Sequence, residues 1–549
     1  MLGVYLLDLG GLHIVPAAMA VFGATVGAGL LWRIGRSASW DGVELAAFLL
    51  IVGGVFAWMM WLAAPLFLPL GGGDQTHHLL LIQYIERHWQ LAHPVLWREI
   101  GELAFYTPGA HILIALVGAW ARSDGFHVMH ATGSLAVALK AGFVFLIARR
   151  MLTPGVPRTP LAMVGALALF ASPTFLVQSW FSHGFVAQVI CEWLAVAMWW
   201  ALIVWDQDQR WEVMALVSLL GIGVFLTWPI LLGPPLVVLA ALVVLSSPDT
   251  FAERLRAAVW SVMPIALLAI MFTFGRARYL TIVGARGVVD HPALHAYSWW
   301  FLPLSSAGIL VSLIDLLRSV VARGAEVQAP IAKATTPLET RTLAIIVIAI
   351  LAQAATFAAG SWWLGREPYM RDKMFYLLLS AQAVGVALAG DWLWRRAFNP
   401  ARTRWANATG WVFAPAMLLV VAIPLKGMRQ QIYARPPAAS LPLYEAGQWA
   451  RDHVPVQCVD YAVPTTDTAY WLHLVVLGNP RRVAADGKPQ AGIVPSMLAW
   501  PHRSGEPYAI ADLAYMTDDV RGQFELLAQF DTAAVLKRRE PAACRPPSD

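Results

Sequence analysis

The stretch ELAAFLLIVGGVFAWMMWLAAPLFLPLGGGDQTHH, residues 44–78, joins a long apolar run to a polar segment that carries a carboxylate and two imidazoles. The apolar part, 44–70, exceeds the roughly 20 residues that a helix needs to cross the hydrocarbon layer of a bilayer. Asp74, His77 and His78 follow it directly. The sequence therefore predicts a membrane-spanning helix whose end presents ionisable side chains at the membrane surface.

The composition of the whole chain is typical of a polytopic membrane protein. Hydrophobic residues make up 58% of the 549 residues and charged residues only 13%, with a mean hydropathy of +0.59. Soluble globular domains carry about 25% charged residues. We therefore predict an α-helical polytopic membrane protein, and we interpret the net charge of +5 as a signal of membrane topology. No nucleic-acid partner is expected.

Apolar runs predict about twelve membrane-spanning helices: 12–32, 44–70, 128–148, 160–177, 185–205, 213–231, 234–247, 257–275, 298–318, 342–364, 374–394 and 406–424. The run 107–121 is left out because it is short for a span and has Pro108 and Gly109 near its start. We expect it to form a helix that lies at, or dips into, the outer face. The composition changes after about residue 424, which predicts a transmembrane domain, 1–424, and a soluble extracytoplasmic domain, 425–549.

The distribution of basic residues supports leaving out 107–121. Cytoplasmic loops of membrane proteins carry an excess of Lys and Arg. With 107–121 outside the membrane, one set of loops holds most of the basic residues, including the pairs Arg149/Arg150 and Arg395/Arg396, and we assign it to the cytoplasm. The opposite, extracytoplasmic side then holds the loops 71–127, 276–297 and 365–373 together with the C-terminal domain.

Two groups of side chains on the extracytoplasmic side suggest a chemistry. The first outer loop supplies the carboxylate of Asp74, and the later loops supply cations that we assign to a donor phosphate: Arg276, Arg278, Arg366, Arg371 and Lys373. A carboxylate opposite fixed cations suits the deprotonation of a hydroxyl and the departure of a phosphate. Neighbouring polar residues are assigned to contacts with the acceptor or substrate: His77, His78, Glu102, Tyr106, His111 and His291.

Between residues 45 and 200, several motifs accompany the span 44–70. They are the early Asp74, the short helix YTPGAHILIALVGAW (106–120), a span ending in ARRML (148–152) and a span reaching a proline in LALFASPTFLVQSW (167–180). This arrangement resembles the GT-C superfamily of integral-membrane glycosyltransferases, and the loop REPYMRDK (366–373) resembles it more loosely. The chain has two helices before the first outer loop, whereas many GT-C enzymes have one.

The resemblance implies a function and a location. GT-C enzymes transfer a sugar from a polyprenyl-phosphate-linked donor to an acceptor on the extracytoplasmic face, and an acidic residue in the first outer loop is their usual base. It therefore implies that Asp74 is the catalytic base. The expected setting is a bacterial inner membrane, with the active site and the C-terminal domain on the periplasmic side and a role in synthesis of envelope glycans or glycolipids. The expected partners are the donor, the lipid bilayer and a glycan, lipid or protein acceptor.

Each candidate residue also has an alternative interpretation. Asp74 follows three glycines and precedes a helical pattern, so it suits the N-cap of a helix. His77 and His78 lie on roughly the same helical face as Asp74, which would suit a metal site, although interfacial histidines give the same pattern. Gln75 stands where many GT-C enzymes carry a second acid, which disfavours metal assistance, and no cofactor is predicted. Arginines at span ends, such as Arg276, also extend to lipid head groups.

The rival function is a lipid or polysaccharide transporter or flippase. Such a protein needs ionisable residues along a path at the bilayer midplane, and often internal repeats. Charges within the predicted spans are limited mainly to Lys140, Glu192 and Asp315, and Lys140 and Glu192 are expected to pair. The sequence shows no convincing repeat. The charges gather at one surface instead, which favours the enzyme.

The C-terminal domain has the pattern of a small α/β fold. A helical segment, 441–455, precedes a strand-like run, 456–463, and a second helical segment, 467–478, precedes a strand-like run, 530–539. A disulfide between Cys458 and Cys544 suits the oxidising side of a membrane. We assign the domain to contact with the acceptor or a partner, or to a cap over the active site.

Overall fold

The computed structural model of the protein describes residues 2–35, 41–62, 73–91, 106–171, 179–181, 184–246, 248–276, 300–325, 340–365, 369–397, 440–455, 458–463, 466–476, 506–516 and 518–540. Up to residue 397, the regular structure in these ranges is helical. The helices are α1 Leu2–Leu9, α2 Pro16–Gly35, α3 Gly42–Leu62, α4 Gly73–His88, α5 Gly109–Ala121, α6 Gly125–Met151, α7 Arg158–Ala168, α8 Val186–Asp208, α9 Trp211–Thr227, α10 Gly233–Val244, α11 Pro248–Arg276, α12 Phe301–Ala325, α13 Thr340–Trp363 and α14 Tyr369–Ala397.

The predicted α-helical polytopic membrane protein is confirmed. Within the described ranges, seven helices are long and apolar enough to cross a membrane: α3, α6, α8, α11, α12, α13 and α14. The predicted spans 12–32, 160–177, 213–231 and 234–247 correspond to the shorter apolar helices α2, α7, α9 and α10. The last predicted span, 406–424, lies outside the described residues.

The run 107–121 forms α5, and the chain enters and leaves this region at the same end of the bundle. Arg149, near the end of α6, donates hydrogen bonds to Asp41 and Glu44 beside the start of α3. Helices α3 and α6 therefore run antiparallel. The segment between them, 63–124, begins and ends at one end of the bundle, as predicted for an outer loop, and we call this end the loop end.

Other contacts place the predicted loops at the two ends of the bundle. At the loop end, the Tyr444 hydroxyl of the C-terminal region donates to Asp124 Oδ2 over 2.8 Å. At the opposite end, Thr153 Oγ1 donates to Asp391 Oδ2 over 3.0 Å, which places the end of α14 beside the end of α6. The start of α14 and the C-terminal region consequently lie at the loop end, on the same side as the first outer loop.

Helix packing in the bundle includes one very close crossing. Gly308 of α12 meets the backbone of Gly385 in α14, where a Cβ on Gly308 would overlap the Gly385 carbonyl oxygen. Small residues allow this approach, and it lets membrane helices gain van der Waals contact where hydrophobic association is weak. The crossing fixes the position of α14, whose first turn contributes to the candidate site.

A buried ion pair links α6 to α8, as the sequence predicted. Lys140 Nζ lies 2.5 Å from Glu192 Oε2, and both side chains are almost completely buried. Gln188 Nε2 donates to the second carboxylate oxygen over 2.7 Å. The charge of Glu192 is thereby satisfied inside the bundle, which makes the pair a structural link between two core helices.

Replacing one partner of this pair is expected to destabilise the protein strongly. Lys140→Met leaves the Glu192 carboxylate buried without its cation, and such changes typically cost about 3–5 kcal/mol of unfolding free energy. The double change Lys140→Met/Glu192→Gln removes both charges and is expected to recover most of this loss. Chemical denaturation in detergent micelles measures both values. Equal losses in the single and double variants would contradict the ion-pair interpretation.

The C-terminal region contains a four-stranded sheet with two helices packed on one face. Its elements are α15 Leu441–His453, β1 Val459–Ala462, α16 Thr466–Val476, β2 Tyr508–Asp512, α17 Asp518–Gly522, β3 Phe524–Phe530 and β4 Ala533–Arg538. The strand order is β1-β2-β4-β3, with β1 and β2 parallel and the other pairs antiparallel. Apolar side chains of α15, α16 and the sheet form one buried cluster, which includes Leu443, Leu472 and Val535.

This region confirms the predicted small α/β pattern with two corrections. The predicted strand 530–539 includes Asp531 and Thr532, but these residues form the turn of the β3–β4 hairpin, where Asp531 has a positive φ of 49°. Strands β2 and β3 were not predicted. Cys458 is disulfide-bonded, while its predicted partner Cys544 and the predicted boundary at 424/425 lie outside the described residues.

Candidate active site

Part of the predicted site lies outside the described structure. This is the case for Glu102, Arg278, His291 and Arg366, and for the side chains of Asp74, His77 and Arg276. The backbone places Asp74 in the first turn of α4, and it places Arg276 at the end of α11. The remaining predicted residues, His78, Tyr106, His111, Arg371 and Lys373, are described with their side chains.

The first turns of α4 and α14 both contact a glycine turn that precedes α8. Gly184 has a positive φ of 63°, and a Cβ at this position would overlap the side chain of Gln75, the residue after Asp74. The next residue, Phe185, lies under Lys373, whose Nζ is 2.7 Å from the ring centroid. Residues from three distant parts of the sequence therefore meet at Gly184 and Phe185.

Gln75 holds the first turn of α4 in this position. Its side chain is 2% exposed, and its Nε2 donates to the Trp180 carbonyl over 3.1 Å. Only a glycine fits at position 184, so the Gln75 side chain packs directly against the backbone of the turn before α8. The backbone at Asp74 is thus held in place by its neighbour Gln75, which contacts both Trp180 and Gly184.

Lys373 is a buried cation surrounded by aromatic rings. Its side chain is 1% exposed, and Nζ lies 5.1 Å from the Tyr369 ring centroid and 5.7 Å from that of Trp228, in addition to the contact with Phe185. Aromatic faces attract cations through the ring quadrupole, most strongly where water is excluded. A positive charge in such surroundings interacts strongly with a nearby anion because the local dielectric constant is low.

Arg371 differs from Lys373 in its environment. Its Nε donates to Asp372 Oδ1 over 2.8 Å, and the guanidinium side chain is 31% exposed while that of Asp372 is 4% exposed. Residues two apart on a helix do not face the same way. The two predicted phosphate-binding residues thus combine one buried cation with one that reaches the surface.

The predicted substrate-contact residues of the first outer loop form a compact cluster. His78 Nδ1 and His111 Nε2 are 2.8 Å apart, so one ring nitrogen donates to the other. The Tyr106 ring packs edge-on against both imidazoles, with centroids 5.6 and 5.7 Å away. His78 and His111 are buried, and the cluster links α4 to α5 one helical turn after Asp74.

The metal interpretation of Asp74, His77 and His78 is not tested by the described side chains. Among those, no group of three or more His, Cys, Asp or Glu residues is arranged to hold a metal ion. His78 instead directs Nδ1 at His111. The Asp74 and His77 side chains lie outside that description, so the expectation of a metal-independent site stays a prediction.

The sequence interpretation missed the residues that bring the site together. Gly184, Phe185 and Trp228 have no local signature of function, because their role depends on contacts with segments far away in the chain. The only local signal is the dipeptide GF directly before an apolar helical run, which is compatible with a turn. Trp228 lies near the end of the predicted span 213–231, and in the structure it contacts Lys373.

At the other end of α4, a polar cluster attaches the C-terminal region to the bundle. Asp124 Oδ1 lies 2.6 Å from His127 Nδ1, and Asp124 Oδ2 accepts from the Tyr444 hydroxyl. Burial alone would raise the pKa of Asp124, but the hydrogen bonds from His127 and Tyr444 outweigh it and hold the pKa below its usual value. Burial and the nearby Asp124 charge raise the pKa of the Tyr444 phenol.

Glu86 lies beside this cluster and is the most perturbed carboxyl group near it. Burial and the nearby Asp124 charge raise the pKa of Glu86 to about 7. A hydrogen bond from the Gly125 backbone opposes this shift in part. The folded protein therefore holds the Glu86 proton more tightly than the unfolded chain does. Stability contributed by the protonated group is present below the usual pKa of 4.5 and is lost as the pH rises to about 7.

We expect this effect in a comparison with Glu86→Gln, which cannot titrate. The unfolding midpoint of the wild type should fall relative to that of the variant as the pH rises through this window, and the difference should level off above it. Thermal unfolding in detergent, measured at a series of pH values, gives the comparison. A difference that is independent of pH would mean that Glu86 titrates normally.

Solved structures that resemble this chain include those of an oligosaccharyltransferase and an arabinosyltransferase. The oligosaccharyltransferase of Archaeoglobus fulgidus, in complex with Zn and sulfate, aligns at 14% identity and a TM-score of 0.49 over 84% of this chain and 68% of its own. The same enzyme, AglB, with an inhibitory peptide and a dolichol-phosphate aligns at 14% identity and a TM-score of 0.47, over 86% and 70%. Arabinosyltransferase EmbB of Mycobacterium smegmatis aligns at 14% identity and a TM-score of 0.41, over 68% and 34%.

These enzymes belong to the GT-C superfamily, which is the superfamily that the sequence motifs resemble. No protein-family model matches the sequence, and no curated protein matches it. Because each TM-score is below 0.5, we base the proposed function on the residues of this chain.

Proposed function

We propose that the protein is a glycosyltransferase that moves a sugar from a polyprenyl-phosphate-linked donor to an acceptor hydroxyl on the extracytoplasmic face of the membrane. The loop end of the bundle would face the periplasm of a bacterial inner membrane, and the product would belong to an envelope glycan or glycolipid. The excess of basic residues in the loops at the opposite end supports this orientation.

One observation carries the proposal: the first turn of α4, with Asp74, and the buried cation Lys373 converge on Gly184 and Phe185. A base and a cation that stabilises a leaving phosphate must lie within reach of one substrate. Asp74 and Lys373 are separated by almost 300 residues in the sequence. The contacts of Gln75 and Lys373 with one turn support the proposal that Asp74 and Lys373 act on the same substrate.

The reaction assigns a step to each group. Asp74 takes the proton of the acceptor hydroxyl while the hydroxyl oxygen attacks the anomeric carbon of the donor sugar. The bond between that carbon and the phosphate oxygen breaks, and polyprenyl phosphate leaves with the electron pair. Lys373, with Arg371, Arg276, Arg278 and Arg366, stabilises the negative charge that develops on the phosphate. His77, His78, Glu102, Tyr106, His111 and His291 are assigned to the acceptor side. We propose that no metal takes part.

The buried charges of the described helices support the enzyme over a transporter or flippase. A transporter needs ionisable residues along a path at the midplane of the bilayer. Lys140 and Glu192 bond to each other. Asp315 lies 3.4 Å from Thr340 Oγ1 and 4.0 Å from an Arg318 nitrogen. These three residues, the main charges within the predicted spans, thus have partners inside the bundle.

The direct experiment is a transfer assay with purified protein in nanodiscs. The protein is incubated with labelled polyprenyl-phosphate sugars and a membrane extract as the source of acceptor, with and without a chelator. We expect release of polyprenyl phosphate and transfer of label to the extract, both unchanged by the chelator. Labelled donor that crosses the bilayer of a proteoliposome intact, without release of polyprenyl phosphate, would favour the flippase instead.

A further inference from the structure

A polar cleft with a volume of about 570 Å³ lies at the end of α4, away from the glycine turn. We call it the outer cleft. Its lining comes from the end of α4, from the junction of α5 and α6, and from α15 of the C-terminal region, and it includes Gln83, Glu86 and Trp89. Its volume falls within the range of about 300–1,000 Å³ of small-molecule sites.

Two oxygen acceptors at this cleft have no hydrogen-bond partner in the described part of the chain. They are Gln83 Oε1 and Glu86 Oε1. Gln83 is only 4% exposed, so bulk water does not readily satisfy its oxygen. Buried acceptors without partners are costly and rare in folded proteins. In residues that line a cleft, such oxygens favour a ligand that both accepts and donates hydrogen bonds, because the Glu86 carboxyl is protonated below about pH 7 and can then donate.

The charges around the cleft nearly balance. Arg87 and Arg451 contribute two cations, and Asp124 and Asp452 contribute two carboxylates. Glu86 adds a third carboxyl group, which its raised pKa leaves only partly ionised near neutral pH. Arg451 is already engaged, with a hydrogen bond to the Gln448 side chain and its Nε 3.5 Å from Asp452 Oδ1. Such a lining can both donate and accept hydrogen bonds, and its net charge is small. It therefore suits a neutral ligand rich in hydroxyl groups better than a phosphate or a polyamine.

Trp89 gives the cleft an aromatic surface that is held in an unusual backbone conformation. Its φ is +47°, a region that bulky residues rarely adopt. The backbone is fixed there on both sides: Trp89 N donates to the Ile85 carbonyl over 2.7 Å, and the Trp89 carbonyl accepts from Ile14 N over 2.8 Å. An indole face beside hydroxyl-binding side chains is the usual combination for a saccharide, because the C–H groups of a sugar ring stack on aromatic rings.

We propose that the outer cleft binds a neutral saccharide unit of the acceptor, at a distance from the hydroxyl that is glycosylated. The assignment to the acceptor rests on the proposed function. Gln83 and Glu86 follow Asp74 by nine and twelve residues on the same helix, which corresponds to about 14–18 Å along its axis. An acceptor that reaches both places is an extended glycan with several sugar units, so a free monosaccharide is a poor substrate.

Binding of oligosaccharides to the full-length protein in nanodiscs tests the cleft. The probes are fluorescently labelled oligosaccharides released from envelope glycans by mild acid and separated into neutral and anionic fractions. We expect the neutral fraction to bind, and we expect binding to weaken at least tenfold in Gln83→Leu and in Ala119→Trp, which fills the cleft. Gln529→Leu, an exposed change on β3, is the matched control and should bind like the wild type.

Three outcomes would overturn the proposal: no binding of the neutral fraction, unchanged binding in both cleft variants, or tighter binding of the anionic fraction. The Ala119→Trp variant keeps the test valid if Gln83→Leu does not fold. In the transfer assay, Gln83→Leu should raise the KM for an oligosaccharide acceptor at least tenfold. If the wild type transfers sugar and the KM of Gln83→Leu is unchanged, the cleft is rejected and the proposed function is kept. If the wild type does not transfer sugar but binds saccharide, and the cleft variants lose that binding, the proposed function is rejected and the cleft is kept.

Discussion

Asp74→Asn is expected to lower the rate of sugar transfer by about 10²–10⁴-fold, the usual contribution of a positioned general base. The amide is nearly the same size as the carboxylate but cannot accept the proton of the acceptor hydroxyl. The rate is measured as polyprenyl phosphate released per unit time at saturating donor and acceptor.

This substitution also separates catalysis from a structural role. Asp74 is the second residue of α4, so it lies inside the first turn and not at the N-cap that the sequence also suggested. Asn keeps a side-chain oxygen at the start of the helix, so a purely structural role predicts an active Asp74→Asn enzyme. The matched control is Asp518→Asn, whose side chain is fully exposed on the C-terminal region. Equal rates in Asp74→Asn and Asp518→Asn would show that Asp74 is not the base.

Lys373→Met is expected to have the second largest effect, a loss of about 10²–10³-fold in kcat, as for removal of one group that stabilises developing negative charge. The Met side chain fits among Phe185, Tyr369 and Trp228, because these rings already form an apolar surface around the ammonium. Chemical denaturation of the variant in detergent micelles is measured beside kcat, so that a loss of catalysis is distinguished from a loss of stability.

The control for this prediction is Lys537→Met, which removes an exposed lysine from β4. Inhibition by added polyprenyl phosphate provides a second measurement, because the leaving group should bind more weakly when Lys373 is absent. Unchanged kcat and unchanged product inhibition in Lys373→Met would assign this lysine to packing alone.

The helical part of the fold was predictable because a bilayer demands long apolar runs and an uneven distribution of basic residues. The distribution of basic residues, including the pairs Arg149/Arg150 and Arg395/Arg396, led to the prediction that 107–121 is not a span. In the structure, Arg149 bonds to Asp41 and Glu44, which places the start of α3 and the end of α6 at the same end of the bundle. The charge pattern thus carried information about tertiary contacts.

The C-terminal sheet was only partly predictable. Strand β4 has a clear run of apolar residues, whereas β3, FELLAQF, mixes polar and apolar residues, with only Phe524 of its seven residues fully buried. The turn at Asp531 and Thr532 lacks the glycine that usually marks a tight hairpin, so no local pattern indicates that a second strand precedes it.

The site was predictable in its chemistry and not in its assembly. Acids, imidazoles and cations could be assigned to loops by their position relative to the spans. Gly184 could not be linked to Gln75, because the link is a close packing contact between segments more than 100 residues apart. The same is true of Lys373, since the aromatic rings around it come from three different parts of the chain.

The central claim is that Asp74 and Lys373 act on one substrate, and a structure of the protein in nanodiscs with a non-cleavable polyprenyl-phosphonate sugar tests it most directly. We expect the phosphonate within hydrogen-bonding distance of Lys373 Nζ, about 2.7–3.2 Å, and the Asp74 carboxylate on the side of the sugar from which an acceptor hydroxyl attacks. A phosphonate bound elsewhere, or a separation of Asp74 and Lys373 beyond about 15–20 Å, would contradict the account, because one donor and acceptor could not bridge that gap.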